Sequence, residues 1–416
     1  MRLALTALPG ILKTDVALAF RNVVRQRRRS LIGVLSVAFG VVCLILAAGF
    51  IEWVFWAMRE GVIQSRIGHI QVVRPGYLES GQADPFAFLL SDSAPQREAI
   101  EQFPGVKAIA PRLLFNGLAS LGDSTISFIA EGVSPEREGG RRHYVLILEG
   151  QDLAADDPKG ITLGQGLATN LGAKIGDKLV LVANTRTGGI NAVEVTVRGV
   201  FATDTKAFDD AALRVPLPLA QELLRVSGSH MWVIRLDDTD RTREIRNALE
   251  ARFGKDLEFV PWYGLADFYN KTVALFSKQV GVMRLIIAFI IVLSILNTQM
   301  MSVLERTSEI GTSMALGVTR AQTLRRFLLE SLAIGLIGGL LGLAVGLLLA
   351  LLISAIGIPM PPPPGMARSF IGEIRVTWPL AADAISLALI TTLLAGIYPA
   401  WKASRMEIVD ALRHAH

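Results

Sequence analysis

Four stretches without a charged residue constrain this chain more than any other feature: Leu31–Ile51, Leu285–Leu304, Ser331–Ile358 and Ala384–Trp401. A helix needs about 20 apolar residues to cross the hydrocarbon core of a bilayer, and each stretch is near or above that length. With 51% hydrophobic and 19% charged residues among 416, the composition departs from that of soluble domains in the same direction. The chain is expected to be a polytopic membrane protein with four transmembrane helices. Charge gathers between the first and second stretches, which predicts one large aqueous α+β domain there.

Lysine and arginine beside the spans set the orientation. Arg21, Arg25, Arg27, Arg28 and Arg29 precede the first span, and Arg306, Arg320, Arg325 and Arg326 follow the second. The tail carries Lys402, Arg405 and Arg413, whereas the loop between the last two spans offers only Arg368 and Arg375. Both termini are therefore expected in the cytoplasm and the large domain outside. The net charge of +5 is better explained by this topology than by nucleic-acid binding. Cys43 is the single cysteine and lies in the first span, so the outer domain is expected to hold together without a disulfide.

The expected order begins with an amphipathic helix on the inner membrane surface (residues 1–29) and a first span (30–58). The outer domain (59–270) follows, then a stalk with the second span (271–304), a cytoplasmic loop (305–326) and the third span (327–358). An outer loop (359–378) containing the proline-rich Pro359–Pro364, the fourth span (379–402) and a tail (403–416) complete it. Arg28-Arg29 before an apolar run is also what a twin-arginine signal offers, but the run is long and three more spans follow, which favours an anchor. Within the outer domain, strand–helix–strand patterns occur before residue 121 and after residue 230. Two such halves form one ferredoxin-like layer pair, with a β-rich insertion at about 122–226 projecting from it.

The most distinctive short segment is Leu304–Gly317 (LERTSEIGTSMALG). Glu305 and Glu309 are four apart and share a face if the segment is one helix, as do Ile310 and Met314. Gly311 and Gly317 are expected to break it into a short piece. A compact amphipathic helix between two spans is a handle for a partner protein; an ordinary charged loop capping the spans is the alternative. In the third span, Gly335, Gly338, Gly339, Gly342 and Gly346 keep small-xxx-small spacings that bring helices close, within one subunit or across a dimer.

Chemistry for catalysis is missing from the sequence. No G-x-x-x-x-G-K-[ST] loop, no G-x-S-x-G elbow and no H-E-x-x-H helix occurs, and the five histidines have no zinc-ligand spacing. Asp156-Asp157 and Asp209-Asp210 are expected to be solvated turns. Glu52, Lys278, Arg284, Glu330 and Asp383 fall at span ends, where interface anchoring accounts for them. No enzyme activity, metal or cofactor is expected on this chain.

Glu305-Arg306-Thr307-Ser308-Glu309-Ile310-Gly311, followed by Ala315 and Gly317, resembles the E-R-x-x-E-I-G-x-x-x-A-x-G segment of MacB/FtsX-like ABC permeases, a group that includes the lipoprotein-releasing permeases. Arg21-Asn22, Arg28-Arg29, Glu330-Ser331, Tyr398-Pro399-Ala400, Gly172…Gly176-Asp177 and Gly199-Val200-Phe201 are similar as well. The resemblance implies a non-catalytic permease subunit driven by mechanotransmission. A cytoplasmic ABC ATPase would bind ATP and Mg and dock on Glu305, Arg306, Glu309, Ile310, Gly311, Ala315 and Gly317. It also implies a second permease, identical or paralogous, a Porter-like base with a Sabre-like insertion, and location in the bacterial inner membrane. Residues 1–29 are too few for the ATPase domain that MacB itself carries, so the split-subunit members are the better match. His69-Ile70-Gln71-Val72 with Pro75-Gly76-Tyr77 resembles the lipoprotein-releasing branch. Extraction of a lipid-linked cargo such as a lipoprotein is then the expected function, with a lipoprotein acceptor outside. Drug or peptide efflux with a periplasmic adaptor and outer-membrane channel, or regulation of a cell-wall hydrolase, are the alternatives. Phe39, Phe50, Leu275 and Phe289, expected on inward faces of the first two spans, are candidates for acyl-chain contact.

Overall fold

The computed structural model describes residues 27–81, 83–91, 94–138, 145–203, 206–361 and 370–406. The amphipathic helix expected over residues 1–29 lies almost wholly outside the described residues, as do most of the outer proline loop and the end of the tail. Two compact units divide the chain, with boundaries after Phe55, Lys271, Pro359 and Phe370.

The unit built from Trp56–Lys271 contains ten strands among the described residues: β1 Ile70–Val73, β2 Val106–Leu121, β3 Ser124–Val133, β4 Leu146–Gly150, β5 Gly160–Gly164, β6 Lys178–Asn184, β7 Ile190–Ala202, β8 Ala212–Pro216, β9 Met231–Leu236 and β10 Glu258–Pro261. The helix α1 (Arg27–Val62) runs into it, and α2 (Pro95–Glu101), α3 (Gln165–Leu171), α4 (Leu217–Leu224) and α5 (Thr242–Phe253) belong to it. One end of the sheet has the order β10-β1-β9-β2, every neighbour antiparallel. Because α2 joins β1 to β2 and α5 joins β9 to β10, two β–α–β units interleave. Their apolar faces meet in one core: Ile70, Val72, Ile109, Trp232, Ile234 and Phe259 from the strands, with Ile100, Ile245 and Leu249 from the helices. Strand alternation sends Val73, Met231 and Val233 to a second small cluster.

β2 is 16 residues long and belongs to two structures. Its first half pairs with β9, from Val106 to Arg112, and its second half with β3, from Arg112 to Leu121. From there the pairing runs β2-β3-β8-β5-β7-β6 and returns to β2, where Leu118–Ser120 pair with β6. This is a closed six-stranded ring, filled by Leu113, Phe128, Ile161, Leu163, Leu181, Val195, Val197 and Leu213 and lined further by α3 and α4. Closure leaves its strands no free edge. At Gly117 a Cβ would run into the Val182 carbonyl and the Phe128 ring, so the close approach of β6 to β2 needs glycine there.

The ring corrects the expected insertion in two respects. It starts within β2, before residue 122, so it is continuous with the base sheet instead of projecting from a turn. It also contains β5 and β8, which the sequence pattern does not reveal: both are buried at all five residues, and a strand covered on both faces loses its alternation. Asp209, expected in a solvated turn, is 3% exposed and accepts hydrogen bonds from the Thr203 backbone N–H and hydroxyl. Asp157 is ion-paired with Arg198.

The other unit is helical: the first part of α1, then α6 (Asp267–Glu305), α7 (Thr307–Ala315), α8 (Arg320–Ile356) and α9 (Trp378–Ser404). Among the described residues, α1, α6, α8 and α9 are long and apolar enough to cross a membrane. Their common core is aliphatic: Val37, Val41, Leu44, Ile45, Ile287, Ile291, Ile295, Ala384 and Ala388. Ser36 and Ser294 share a hydrogen bond of 2.8 Å between α1 and α6, and the buried Thr392 hydroxyl donates to the Ala388 carbonyl in its own helix. Such pairing is what an apolar surrounding demands of polar groups. Pro399 does not end α9, which continues to Ser404.

Candidate functional site

The Leu304–Gly317 segment is an elbow, not one helix. α6 ends at Glu305, Arg306 lies between helices at φ −99° and ψ 14°, and α7 starts at Thr307. Glu305 and Glu309 therefore sit on different helices, which corrects the shared-face expectation. Gly311 does not break α7 either; it is buried inside the helix, and the break comes at Gly317, where φ is +103°. There the Val318 N–H reaches back to the Ser313 carbonyl at 3.1 Å, closing the helix end as left-handed glycine caps do. Thr319 then opens α8 with a reciprocal capping box to Gln322.

The elbow separates its residues into two groups. Ile310 and Gly311 are buried, Ile310 packing with Val303, Phe327, Ala400 and Ala403, so neither presents a docking surface in this chain. The apolar i, i+4 pair Ile310 and Met314, with Ile310 expected at the docking surface, is instead what anchors α7 to α8 and α9. Exposed are Glu305, Glu309, Ala315 and Gly317, together with two leucines the sequence reading passed over. Leu304 is 56% exposed and Leu316 is 84% exposed, a large apolar residue held out beside the Gly317 turn. The signal for Leu316 was its place in A-L-G, directly before the glycine that ends the helix.

Arg306 turns inward. Its guanidinium lies 3.4 Å from both the Glu309 and the Glu330 carboxylates, and 5.9 Å from the centre of the Phe327 ring. Glu330, on α8, has a side chain only 5% exposed. It is therefore a buried partner and not the interface anchor expected. Arg284 and Asp383 are likewise paired with each other, α6 to α9, at 2.5 Å.

The glycines of α8 are all buried and face neighbouring helices of the same chain. Gly338, Gly342 and Gly346 lie against Val37, Ala38, Val41 and Ile45 of α1, while Gly335 and Gly339 lie against Thr392, Ile385 and Ala388 of α9. The candidate cargo contacts do not face inward. Phe39, Leu275 and Phe289 are 70%, 57% and 61% exposed, and Phe50 is half-buried, stacked on Trp53 at 6.3 Å. Aliphatic side chains, among them Leu44, Ile45, Ile287, Ile291 and Ile295, fill the interior instead. Among the described residues, no three His, Cys, Asp or Glu side chains converge as metal ligands.

Two family regions account for most of the chain. The MacB-like periplasmic core domain matches residues 30–252, and the FtsX-like permease C-terminal region matches residues 281–408. A macrolide export ATP-binding/permease protein MacB of Rhodospirillum rubrum is 27% identical over 84% of this chain, which spans only 52% of that protein. The lipoprotein-releasing system transmembrane protein LolC of Xylella fastidiosa is 24% identical over 96% of this chain and 98% of its own length. Among solved structures, the periplasmic region of MacB from Actinobacillus actinomycetemcomitans has a TM-score of 0.36 at 15% identity, covering 50% of this chain and 94% of that one. The chain belongs to the MacB/FtsX-like family of ABC transporter permeases, with a MacB-like periplasmic core domain followed by an FtsX-like permease region.

Proposed function

We propose that this chain is the permease subunit of an ABC transporter that couples ATP hydrolysis by a separate cytoplasmic ATPase to extraction of a lipid-linked or amphiphilic cargo, such as a lipoprotein, from the inner membrane. The observation that carries the coupling role is the elbow: one buried face fixes α7 to α8 and α9, while Glu309, Leu304 and Leu316 stand exposed. No nucleotide-cradling G-x-x-x-x-G-K-[ST] occurs in the 416 residues, so ATP and Mg are assigned to the partner. The end-to-end match with a LolC protein supports the lipoprotein reading. In this reading both ends of the helical unit are cytoplasmic, the β10-β1-β9-β2 portion is a Porter-like base, and the closed ring is a Sabre-like insertion. The exposed Phe39, Leu275 and Phe289 meet lipid, a second permease or a cargo acyl chain. Movement of the outer unit by mechanotransmission does the work on the cargo.

Export with a periplasmic adaptor is the second reading, supported by the similarity to MacB over 84% of this chain. Purification from mild detergent, with mass spectrometry of proteins and lipids, separates the two. An ATPase, a second permease and a bound lipoprotein support extraction; an ATPase with one kind of permease and an adaptor supports export. A cell-wall hydrolase on the outer unit displaces both. Within either transporter reading, Glu309→Lys and Leu316→Glu weaken ATPase docking, because each reverses or removes the complementarity of an exposed group. Unchanged docking in both variants rejects the elbow as the contact.

A further inference from the structure

Glu330 lies within the FtsX-like permease region, yet neither the elbow's docking role nor the helix packing gives it a task. Its carboxylate is buried, on a helix whose remaining buried positions are apolar, small or hydroxylic. A carboxylate in that setting is retained only where a cation and hydrogen bonds compensate it. One such cation is Arg306, 3.4 Å away and 24 residues earlier, at the one non-helical residue between α6 and α7. The Arg306 backbone also holds both helices: its N–H donates to the Ser302 carbonyl, and its carbonyl accepts from the Ile310 N–H at 2.9 Å. Phe327, one turn before Glu330 on α8, lies under the guanidinium. Three helices therefore meet at one side chain.

We infer that Glu330 is a positioning residue that locks the α6–α7 elbow to α8 through Arg306. A push on α7 then reaches α8 as a rigid displacement instead of being absorbed by bending at residue 306. From α8 it passes to α1 and α9 through glycine contacts that leave no slack, Gly342 against Ala38 and Val41 on one side and Gly335 against Thr392 on the other. The inference rests on the reading of the elbow as the coupling surface.

The test uses the full chain in nanodiscs, with and without its co-expressed ABC ATPase. Spin labels at Thr312→Cys on α7 and Leu340→Cys on α8, in a Cys43→Ser background, report how firmly α7 is held to α8 without any partner. Glu330→Gln, isosteric but uncharged, broadens the distance distribution, and Glu330→Asp narrows it again. Arg306→Gln, which also removes the Glu309 contact, broadens it at least as far, and the Arg306→Gln/Glu330→Gln double variant is no broader than Arg306→Gln alone, as expected where Glu330 acts through Arg306. With the ATPase present, Glu330→Gln leaves the amount co-purified within about twofold but lowers permease-dependent ATP hydrolysis about tenfold, a loss within the usual range for coupling between sites. A narrow distribution in Glu330→Gln, or additive broadening in the double variant, overturns the lock. If the distribution broadens as stated but the parent chain binds no ATPase, the lock stands and the coupling reading falls.

Discussion

His69 Nε2 lies 3.0 Å from the Thr239 hydroxyl, which in turn donates to the Glu60 carboxylate at 3.0 Å. The Leu236 backbone N–H donates to His69 Nδ1 at 3.1 Å, so the ring must be neutral with its proton on Nε2. A three-member relay thus ties the C-terminal part of α1 to the loop between β9 and α5. Burial, followed by the nearby Arg235 and Arg59 charges, lowers the His69 pKa from 6.5 to about 4. His230, stacked on Tyr77 and bonded to the Leu114 N–H, is lowered to about 4 as well, chiefly by burial.

Acid sensitivity of the Trp56–Lys271 unit follows. Both folded-state values lie below the unfolded value, so the unfolded chain binds more protons between pH 6.5 and pH 4. Stability is complete above that window and falls as pH is lowered through it, each histidine contributing on the order of 3 kcal/mol. Tryptophan-fluorescence melts from pH 7.5 to 4.5 are expected to show the decline, with a shallower slope in His230→Phe. A melting temperature indifferent to pH across the window contradicts the assignment.

Breaking the relay at its centre is a separate matter from titration. Thr239→Val keeps the shape but leaves His69 Nε2–H without its acceptor and takes the hydroxyl donor from Glu60, which keeps its Arg59 ion pair. A loss of about 1–3 kcal/mol in stability of the Trp56–Lys271 unit is expected, the usual cost of an unmet buried polar group. Urea unfolding of Thr239→Val beside Thr239→Ser, which retains the hydroxyl, checks it.

The glycines of the membrane helices are not equivalent. A Cβ on Gly342 would stand 2.6 Å from the Ala38 carbonyl oxygen and 2.7 Å from Val41 Cβ. Gly342→Leu should therefore lower the thermal stability of the helical unit by about 1–3 kcal/mol or separate α8 from α1. Gly281 on α6 has nothing within 4 Å of its would-be Cβ, so Gly281→Ala should be neutral or mildly stabilising. Equal behaviour of the two variants in detergent melts counts against this packing.

Arg284 and Asp383 should behave as a unit. Removing one partner leaves the other charged beside apolar helices, whereas replacing both removes the problem. The Arg284→Leu/Asp383→Leu double variant is expected to be more stable than Asp383→Leu alone. A double variant less stable than both singles would falsify the pairing.

Much of this molecule could be read without coordinates because its signals are local. Uncharged length marks α1, α6, α8 and α9, since nothing but the chain's own composition decides whether a helix suits a hydrocarbon layer. Alternation marks β6 and β7, and the Gly122-Asp123 turn marks the β2–β3 hairpin. The family segment around Glu305–Gly317 is likewise written in consecutive residues. Burial and partnership are not local, and there the reading failed. Ile310 and Gly311 belong to a core made with Phe327 and Ala400, so a sequence-adjacent motif splits into a buried half and an exposed half only when α8 and α9 arrive. Phe39 and Phe289 face outward while Val37, Val41, Ile287 and Ile291 of the same helices face the shared core, an assignment that the packing of several helices makes. Strands β5 and β8 are strands because the ring covers both their faces, and Glu330 is a paired, buried carboxylate because Arg306 reaches it from a different helix. Composition and periodicity determine which segments become helices or strands; which side of each is covered, and by what, depends on contacts between residues far apart in the chain.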